Sequence, residues 1–394
     1  MKFLKSDPVV IFLLAFTARL IFVLIDNSAP LGDAGVYDNL ALSISHGQGY
    51  VNADGSLHTI YPPFYPFFLS VIYMIFGHSY KMVGVIQSII GAFSCALIYL
   101  IGKKVYGRIS GITAALIGAM YFPFIKSAGM LLTESFFTFL LISIIFYLLK
   151  VRNENSFPAC IIFGLLLGMA MLTKSIMLFF PIFIMPTFFY LGGKYSINAG
   201  LKKYALILLV LSFSLMPWAI RNYNVYHKFA PTSVEGGFGF YSSYCPANGI
   251  FGLNAASDDP VVIEGFKIAS PVLRSKYFVK KTWDFIVNNP KKIIMSEAKK
   301  IIYFWAPFDW EIVGNRWFNL AYVLALPFFA IGFFLAIKEF RKNYPILAPI
   351  IYFQIMTLAF YGSPRFRLPI EPYIFILAAV GFTRSLDWIQ NKRE

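Results

Sequence analysis

Charge is scarce in this chain. Of its 394 residues, 13% are Asp, Glu, Lys or Arg, roughly half the share in a soluble globular domain. A soluble fold of this length is thereby excluded, and counting domains by length with it. Acidic residues are the scarcer sign, 19 against 34 Lys and Arg, for a formal charge of +15. The basic excess is spread over short loops between apolar runs, which marks membrane topology and not a nucleic-acid surface. Cysteine is nearly absent. Cys95 and Cys160 fall inside apolar runs and behave as small hydrophobes, and Cys245 stands alone in a loop. Three thiols so placed exclude a disulfide framework and a CxxC metal site. Histidine is also sparse. His46 and His58 sit at loop spacing, where solvated or hydrogen-bonded imidazoles are expected, so no metal and no other cofactor is called for. Internal repeats, low-complexity tracts and a separate soluble domain are missing as well. A single membrane-embedded domain over 1–394 is expected.

What is present is hydrophobic. Apolar residues make up 58% of the chain, with 43 Phe and 24 Tyr, and mean hydropathy is +0.67. Runs near the roughly 18 apolar residues that cross a bilayer place ten spans at about 8–25, 82–102, 109–125, 130–149, 157–173, 175–191, 204–220, 317–337, 345–361 and 368–386. The first run is longer than a secretory h-region and lacks a small-x-small site before Asp26, so it reads as an anchor. A further run, 62–77, begins "YPPFYP". If it does not cross, the loops "KKVYGR", "KVRNEN", "GGKYSINAGLKK" and "KEFRKN" and the tail "RSLDWIQNKRE" all lie on the cytoplasmic side with both termini, each with at least two Lys or Arg. If it does cross, the positive-inside rule is broken throughout. The segment is therefore read as a helix on the outer face, with its prolines in the entry turn.

The outer face then carries the loop 26–81 and a large loop, 222–316. The second is rich in Gly and Asp at first, then becomes a basic amphipathic helix over about 274–305. Lysines alternate there with aromatics, as on a helix lying along anionic lipid. In the first loop no Lys or Arg occurs between Arg19 and Lys81, while Asp26, Asp33, Asp38 and Asp54 do. Val36, Leu40 and Ile44 form an i, i+4 ridge of a short helix stopped by Gly47 and Gly49. Asp33 stands at its N-cap or in its first turn, four residues from Tyr37. Taken alone, Asp33 reads as a plain cap worth about 1 kcal/mol, and Asp38 and Asp54 as solvated residues.

Glu134, in "GMLLTESFFTFLL", opens a span. A carboxylate there is either a functional group or a hydrated helix start flanked by Thr133 and Ser135. Among the outer cations, Lys174 in "MLTKSIM" and Arg221 at the end of a span are equally read as snorkelling to headgroups, and Arg19 is read as snorkelling. Arg365 and Arg367, in "GSPRFRLPIEPY", are spaced i, i+2 in a proline-stiffened turn and suit phosphate oxygens. An outer carboxylate facing outer cations at membrane depth fits a lipid-carried sugar phosphate. Attack on its anomeric carbon needs a base for the acceptor and fixed positive charge for the departing phosphate.

The order "GDAGVYDNLALSISHGQGY", "YPPFYPFFLSVIYMIFG", "LLTES", "MLTKS", "RFRLPIEPYIFILAAVG" resembles the family-39-like membrane glycosyltransferases of the GT-C class, relatives of protein O-mannosyltransferases and of the lipid A aminoarabinose transferase. The resemblance implies an all-α polytopic bundle with juxtamembrane helices in the first outer loop. It implies an outward-facing site in a bacterial inner membrane, and a polyprenyl-phosphate-linked sugar donor with a lipid, glycan or protein acceptor. Asp33 becomes the catalytic acid, against its reading as a cap. Glu134 becomes a second acid, Tyr37 and Tyr61 pocket residues, and Arg365, Arg367 or Lys174 the phosphate ligands. The chain departs from these relatives where Ala34 and Gly35 follow Asp33 in place of a second acid, and where Val36 and Tyr61 stand in place of an arginine and a lysine. A lipid-linked sugar transporter and a polysaccharide polymerase remain open alternatives. The transporter is disfavoured by the lack of paired repeats.

Overall fold

The computed structural model describes residues 6–154, 156–189, 196–244, 259–307, 318–360 and 362–391; Cys245 and parts of the large outer loop lie outside them. Regular structure among the described residues is helical, apart from an antiparallel bridge, Val51 to Leu57. In chain order the helices are α1 (Asp7–Ile25), α2 (Asp33–Ser45), α3 (Phe64–Phe76), α4 (Tyr80–Tyr106), α5 (Arg108–Met120), α6 (Phe122–Gly129), α7 (Thr133–Asn153), α8 (Phe157–Met171), α9 (Phe180–Ile184), α10 (Pro186–Phe189) and α11 (Ile197–Tyr226). After these come α12 (Gly236–Tyr244), α13 (Pro260–Lys267), α14 (Pro271–Asn288), α15 (Pro290–Phe304), α16 (Leu320–Lys338), α17 (Phe340–Ala359), α18 (Pro364–Arg367) and α19 (Glu371–Asn391).

Six helical stretches among the described residues are long and apolar enough to cross a membrane: α1, α4, α7, α11, α16 and the run Pro364–Asn391. A seventh counts if α5 and α6, bent by 50°, form one span. The expected ten is corrected by helix length and by proline. Helix α8 has 15 residues, about 22 Å of rise against a hydrocarbon core of about 30 Å. The run 175–191 is split at Pro181 and Pro186 into a 3₁₀ turn and two short helices. Helix α17 opens with Arg341 and Lys342 and holds Pro345 and Pro349. Helix α3, of 13 residues, is too short to cross. The expected single helix over 274–305 is two, because Pro290 restarts the chain.

The bundle's core is α7 and α19, the two most enclosed of the long stretches. Helix α7 packs on α4 and α8, α8 on α11, and α19 on α5 and α16. With hydrocarbon on both sides, helices associate through close packing, which small residues permit. At the α16–α19 crossing, a Cβ on Gly332 would sit 1.9 Å from the Leu377 carbonyl oxygen and one on Gly381 2.0 Å from that of Phe328. One end of the bundle gathers basic side chains. Arg108 pairs with Asp7 at 2.8 Å, and Arg152 donates to the carbonyls of Arg341 and Lys342. The opposite end carries α2, α3 and the break before α7.

The bend between α5 and α6 has an internal support. Arg19, read from sequence as snorkelling, is buried instead. Its guanidinium donates to the Gly118 and Ala119 carbonyls at 3.3 Å each and to Ala15 at 2.9 Å. In a continuous helix the Ala119 carbonyl would accept from residue 123, which is proline and has no N–H. Arg19 thus caps the C-terminus of α5, where helix dipole and cation attract. Replacing Gly332 by Leu is expected to drive α16 off α19 at a cost of roughly 3 kcal/mol, read as a lower unfolding midpoint in detergent; an unchanged midpoint would contradict the close crossing.

Candidate active site

Four segments converge at the end of the bundle opposite the basic one. Helix α2 starts with Asp33, the N-cap position itself being held by Gly32 at φ 59°. Helix α7 starts with Thr133 and Glu134. The turn after α8 carries Lys174, and a backbone bond from Phe64 N–H to the Leu172 carbonyl (2.9 Å) ties it to the start of α3. Helix α18 carries Arg365, its first turn capped by Ser363. Gln87 fixes the approach to α7: its amide donates to the Ala128 and Met130 carbonyls, and its carbonyl accepts from the Tyr65 hydroxyl.

Arg365 joins the two acids. Its Nη1 donates to Asp33 Oδ2 and its Nε to Glu134 Oε1, both at 2.7 Å. Lys174 Nζ donates to the same Glu134 oxygen at 3.1 Å and lies 5.5 Å from the ring centroids of Phe137 and Phe366. The Tyr61 hydroxyl donates to Asp33 Oδ1 at 2.7 Å. Tyr37 packs on Tyr61 and Tyr65 at centroid distances of 4.9 and 5.2 Å. Burial, reinforced by Tyr61 and the two carboxylates, raises the Tyr37 phenol well above its ordinary value, so it stays protonated and cannot act as a base. Two carboxylates and two cations leave the group formally neutral. The acids differ in access: the Asp33 side chain is 38% exposed and that of Glu134 is fully enclosed. Glu134 Oε2 has no partner among the described residues.

Asp33, Tyr37, Tyr61, Glu134, Lys174 and Arg365 therefore share one site. Arg367 does not, which corrects its pairing with Arg365. Its Nε is bound to Glu371 at 2.9 Å, its Nη1 to the Phe304 and Ala306 carbonyls, and its plane lies 3.8 Å from the Tyr322 ring centroid. Spacing i, i+2 on a helical turn sends the two side chains to different faces. Asp38 is not solvated. It is buried and accepts from Tyr73, His78 and Tyr80 at 2.6–2.9 Å, pinning α2 to α3 and the start of α4. Asp54 lies in the exposed turn as expected, bound to Ser56.

Two neighbours were read from sequence without a place in the site, Arg221 as equally a snorkelling cation and His58 as a solvated or hydrogen-bonded imidazole. Arg221 lies over the rings of Trp218, Tyr226 and Tyr50, at 4.9 to 6.0 Å, and donates to Asn222. His58 is buried; its Nδ1 is 2.6 Å from Asn52 Oδ1 and its Nε2 accepts from the Tyr61 N–H at 2.9 Å. Burial, with the Arg221 charge adding, lowers the imidazole from 6.5 to about 4. The only sequence sign was position: His58 and Arg221 flank segments rich in aromatics.

A family model for dolichyl-phosphate-mannose-protein mannosyltransferase matches residues 61–220. No curated protein matches the chain in sequence. Among solved structures, the Archaeoglobus fulgidus oligosaccharyltransferase AglB, in complex with an inhibitory peptide and a dolichol-phosphate, superposes over 99% of this chain and 51% of its own, at 14% identity and a TM-score of 0.58. The same enzyme tethered to an acceptor peptide containing the NVT sequon gives 15% identity, 99% and 50% coverage and a TM-score of 0.60. ArnT from Cupriavidus metallidurans bound to undecaprenyl phosphate gives 13% identity, 96% and 60% coverage and a TM-score of 0.54. The chain spans half to three-fifths of the length of these proteins. The likeness to these structures is one of fold: the chain shares their all-α polytopic architecture.

The His58 environment sets a pH dependence. Its folded value lies below the unfolded one, so the unfolded chain binds the proton first as pH falls. The associated stability is complete above pH 6.5 and lost as pH drops through about 4. Over that window the wild type is expected to lose roughly 3 kcal/mol more than a His58→Gln variant, measured by chemical or thermal unfolding at stepped pH. Parallel curves would contradict the neutral buried imidazole.

Proposed function

We propose that this chain transfers a sugar from a polyprenyl-phosphate-linked donor to an acceptor at the outer face of the membrane, inverting the anomeric carbon. The observation that carries the reading is the exposed Asp33 carboxylate, oriented by Tyr61 on one oxygen and by Arg365 on the other. The shared fold supports it: the neighbouring structures contain dolichol-phosphate or undecaprenyl phosphate.

In this reading Asp33 accepts the proton of the acceptor hydroxyl. The acceptor oxygen bonds to the anomeric carbon, and the bond from that carbon to the phosphate oxygen breaks. The electron pair leaves with the polyprenyl phosphate. A positioned base supplies about 10²–10⁴ in rate. Fixed cations stabilise the departing dianion; Arg365 and Lys174 supply that charge, with Arg221 added to the pair and Arg367 removed. Because Arg365 is shared with Asp33, an arriving phosphate competes with the carboxylate for it and releases the base. Glu134, being enclosed, holds Arg365 and Lys174 and does not meet substrate. Tyr37 and Tyr61 line the sugar side of the pocket, for a hexose or a pentose. The basic end of the bundle supports placing both termini in the cytoplasm of a bacterial inner membrane.

The test is transfer from a synthetic polyprenyl-phosphate sugar by purified chain. Asp33→Asn is expected to lower the rate by about 10²–10⁴ while donor binding and folding persist. Turnover at the wild-type rate would remove Asp33 as the base, and translocation without bond cleavage would make the protein a transporter.

A further inference from the structure

The aromatic group behind Asp33 contains one residue, His58, that the reaction above leaves without a task. Tyr61 is held at several points. Its amide donates to His58 Nε2 at 2.9 Å, and its carbonyl accepts from the Tyr50 hydroxyl at 3.0 Å. Its ring stacks on the imidazole with centroids 5.4 Å apart and planes 7° apart. Its hydroxyl, at the far end, donates to Asp33. Pro62 and Pro63 follow, so neither next residue has an amide hydrogen to anchor this stretch.

We propose that His58 is a positioning residue. As a neutral imidazole it holds Tyr61 by amide and ring, and through the Tyr61 hydroxyl it aims the Asp33 carboxylate. This rests on the reading of Asp33 as the base.

The hydrogen bonds select one form of the ring. Asn52 Oδ1 is an acceptor, so Nδ1 carries the proton; the Tyr61 N–H is a donor, so Nε2 offers its lone pair. A second proton would set Nε2–H against the Tyr61 N–H and break the hold. Burial keeps that proton away, and the Arg221 guanidinium from α11 adds to it; the other groups facing the ring are the Tyr50 and Tyr61 side chains. No carboxylate among the described residues is bound to the imidazole. Trp218, edge-on to Tyr50 at 5.0 Å and bound through its indole N–H to the Thr232 carbonyl, closes the group on the α11 side.

The experiment compares His58→Ala and His58→Gln in the full-length chain, each alone and with Asp33→Asn. It adds ¹⁵N NMR of the labelled His58 ring. The alanine variant is expected to lose about 10²-fold in kcat with little change in KM for the donor. Glutamine, whose side-chain carbonyl accepts where Nε2 did, restores most of the loss. In the Asp33→Asn background the alanine change has no further effect, because it acts through that carboxylate. The ring is expected to be neutral with its proton on Nδ1 at pH 7. Wild-type kcat in His58→Ala, an undiminished loss in the Asp33→Asn background, an imidazolium at pH 7 or a proton on Nε2 would each overturn the assignment. An Asp33→Asn protein at full rate sinks the base reading instead, independently of the ring's tautomer. The NMR measurement needs no variant, so a misfolded alanine protein leaves the assignment open to refutation.

Discussion

One guanidinium holds the site end of this bundle together. Arg365 binds acids 332 and 231 positions away in sequence, on α2 and α7. Its energetics follow from where each charge sits. Glu134 is enclosed, so leaving it ionised without Arg365 and Lys174 would cost several kcal/mol. Asp33 meets solvent and has less to gain. The enclosed acid therefore fixes the arginine, and the arginine's remaining arm fixes the exposed acid. Precision at a carboxylate open to water is inherited from one that is not.

The same economy of cations runs through the bundle. A backbone carbonyl abandoned inside a membrane has no water to turn to, and each break in a helix abandons some. Arg19 takes those at the end of α5, Lys81 those of Val23, Leu24 and Asp26 at the end of α1, Lys203 those of Val151 and Glu154 after α7, and Arg367 those at the end of α15. Arg152 reaches the Arg341 carbonyl, whose helical donor would have been Pro345. Five cations thus serve the backbone.

This explains where sequence reading succeeded and where it stopped. Hydropathy and charge found the bundle, the non-crossing segment and the placing of Asp33 and Arg365 at one end of it, because those depend on composition along the chain. Motif order, not any local pattern, singled out Asp33; its helix start alone reads as a cap. The role of Arg367 was illegible because a sequence shows a cation but not which carbonyls a distant helix has left open. Among the described residues six or seven stretches are long and apolar enough to span, fewer than ten, because an apolar run does not show where its helix ends: α8 stops at 15 residues and 175–189 is divided at Pro181 and Pro186. Asp38 looked solvated since its partners, Tyr73, His78 and Tyr80, lie on α3 and beyond. His58 carried no signal, as its meaning arises only when Tyr61 stacks on it.

The placement of the acid on α2 has its own logic. A 13-residue helix is marginal alone, so α2 must draw its stability from packing and from fastening points. Tyr37 inserts between Tyr61 and Tyr65, and buried Asp38 binds three donors from α3 and the segment beyond it. These contacts leave the helix start, where backbone N–H groups point outward and favour an anion, facing the open side. A carboxylate at that spot is reachable from solvent. An acid set inside the bundle needs cations around it instead, as Glu134 has in Arg365 and Lys174. Setting Asp33 at the start of a short, fastened helix keeps it accessible and still rigidly aimed.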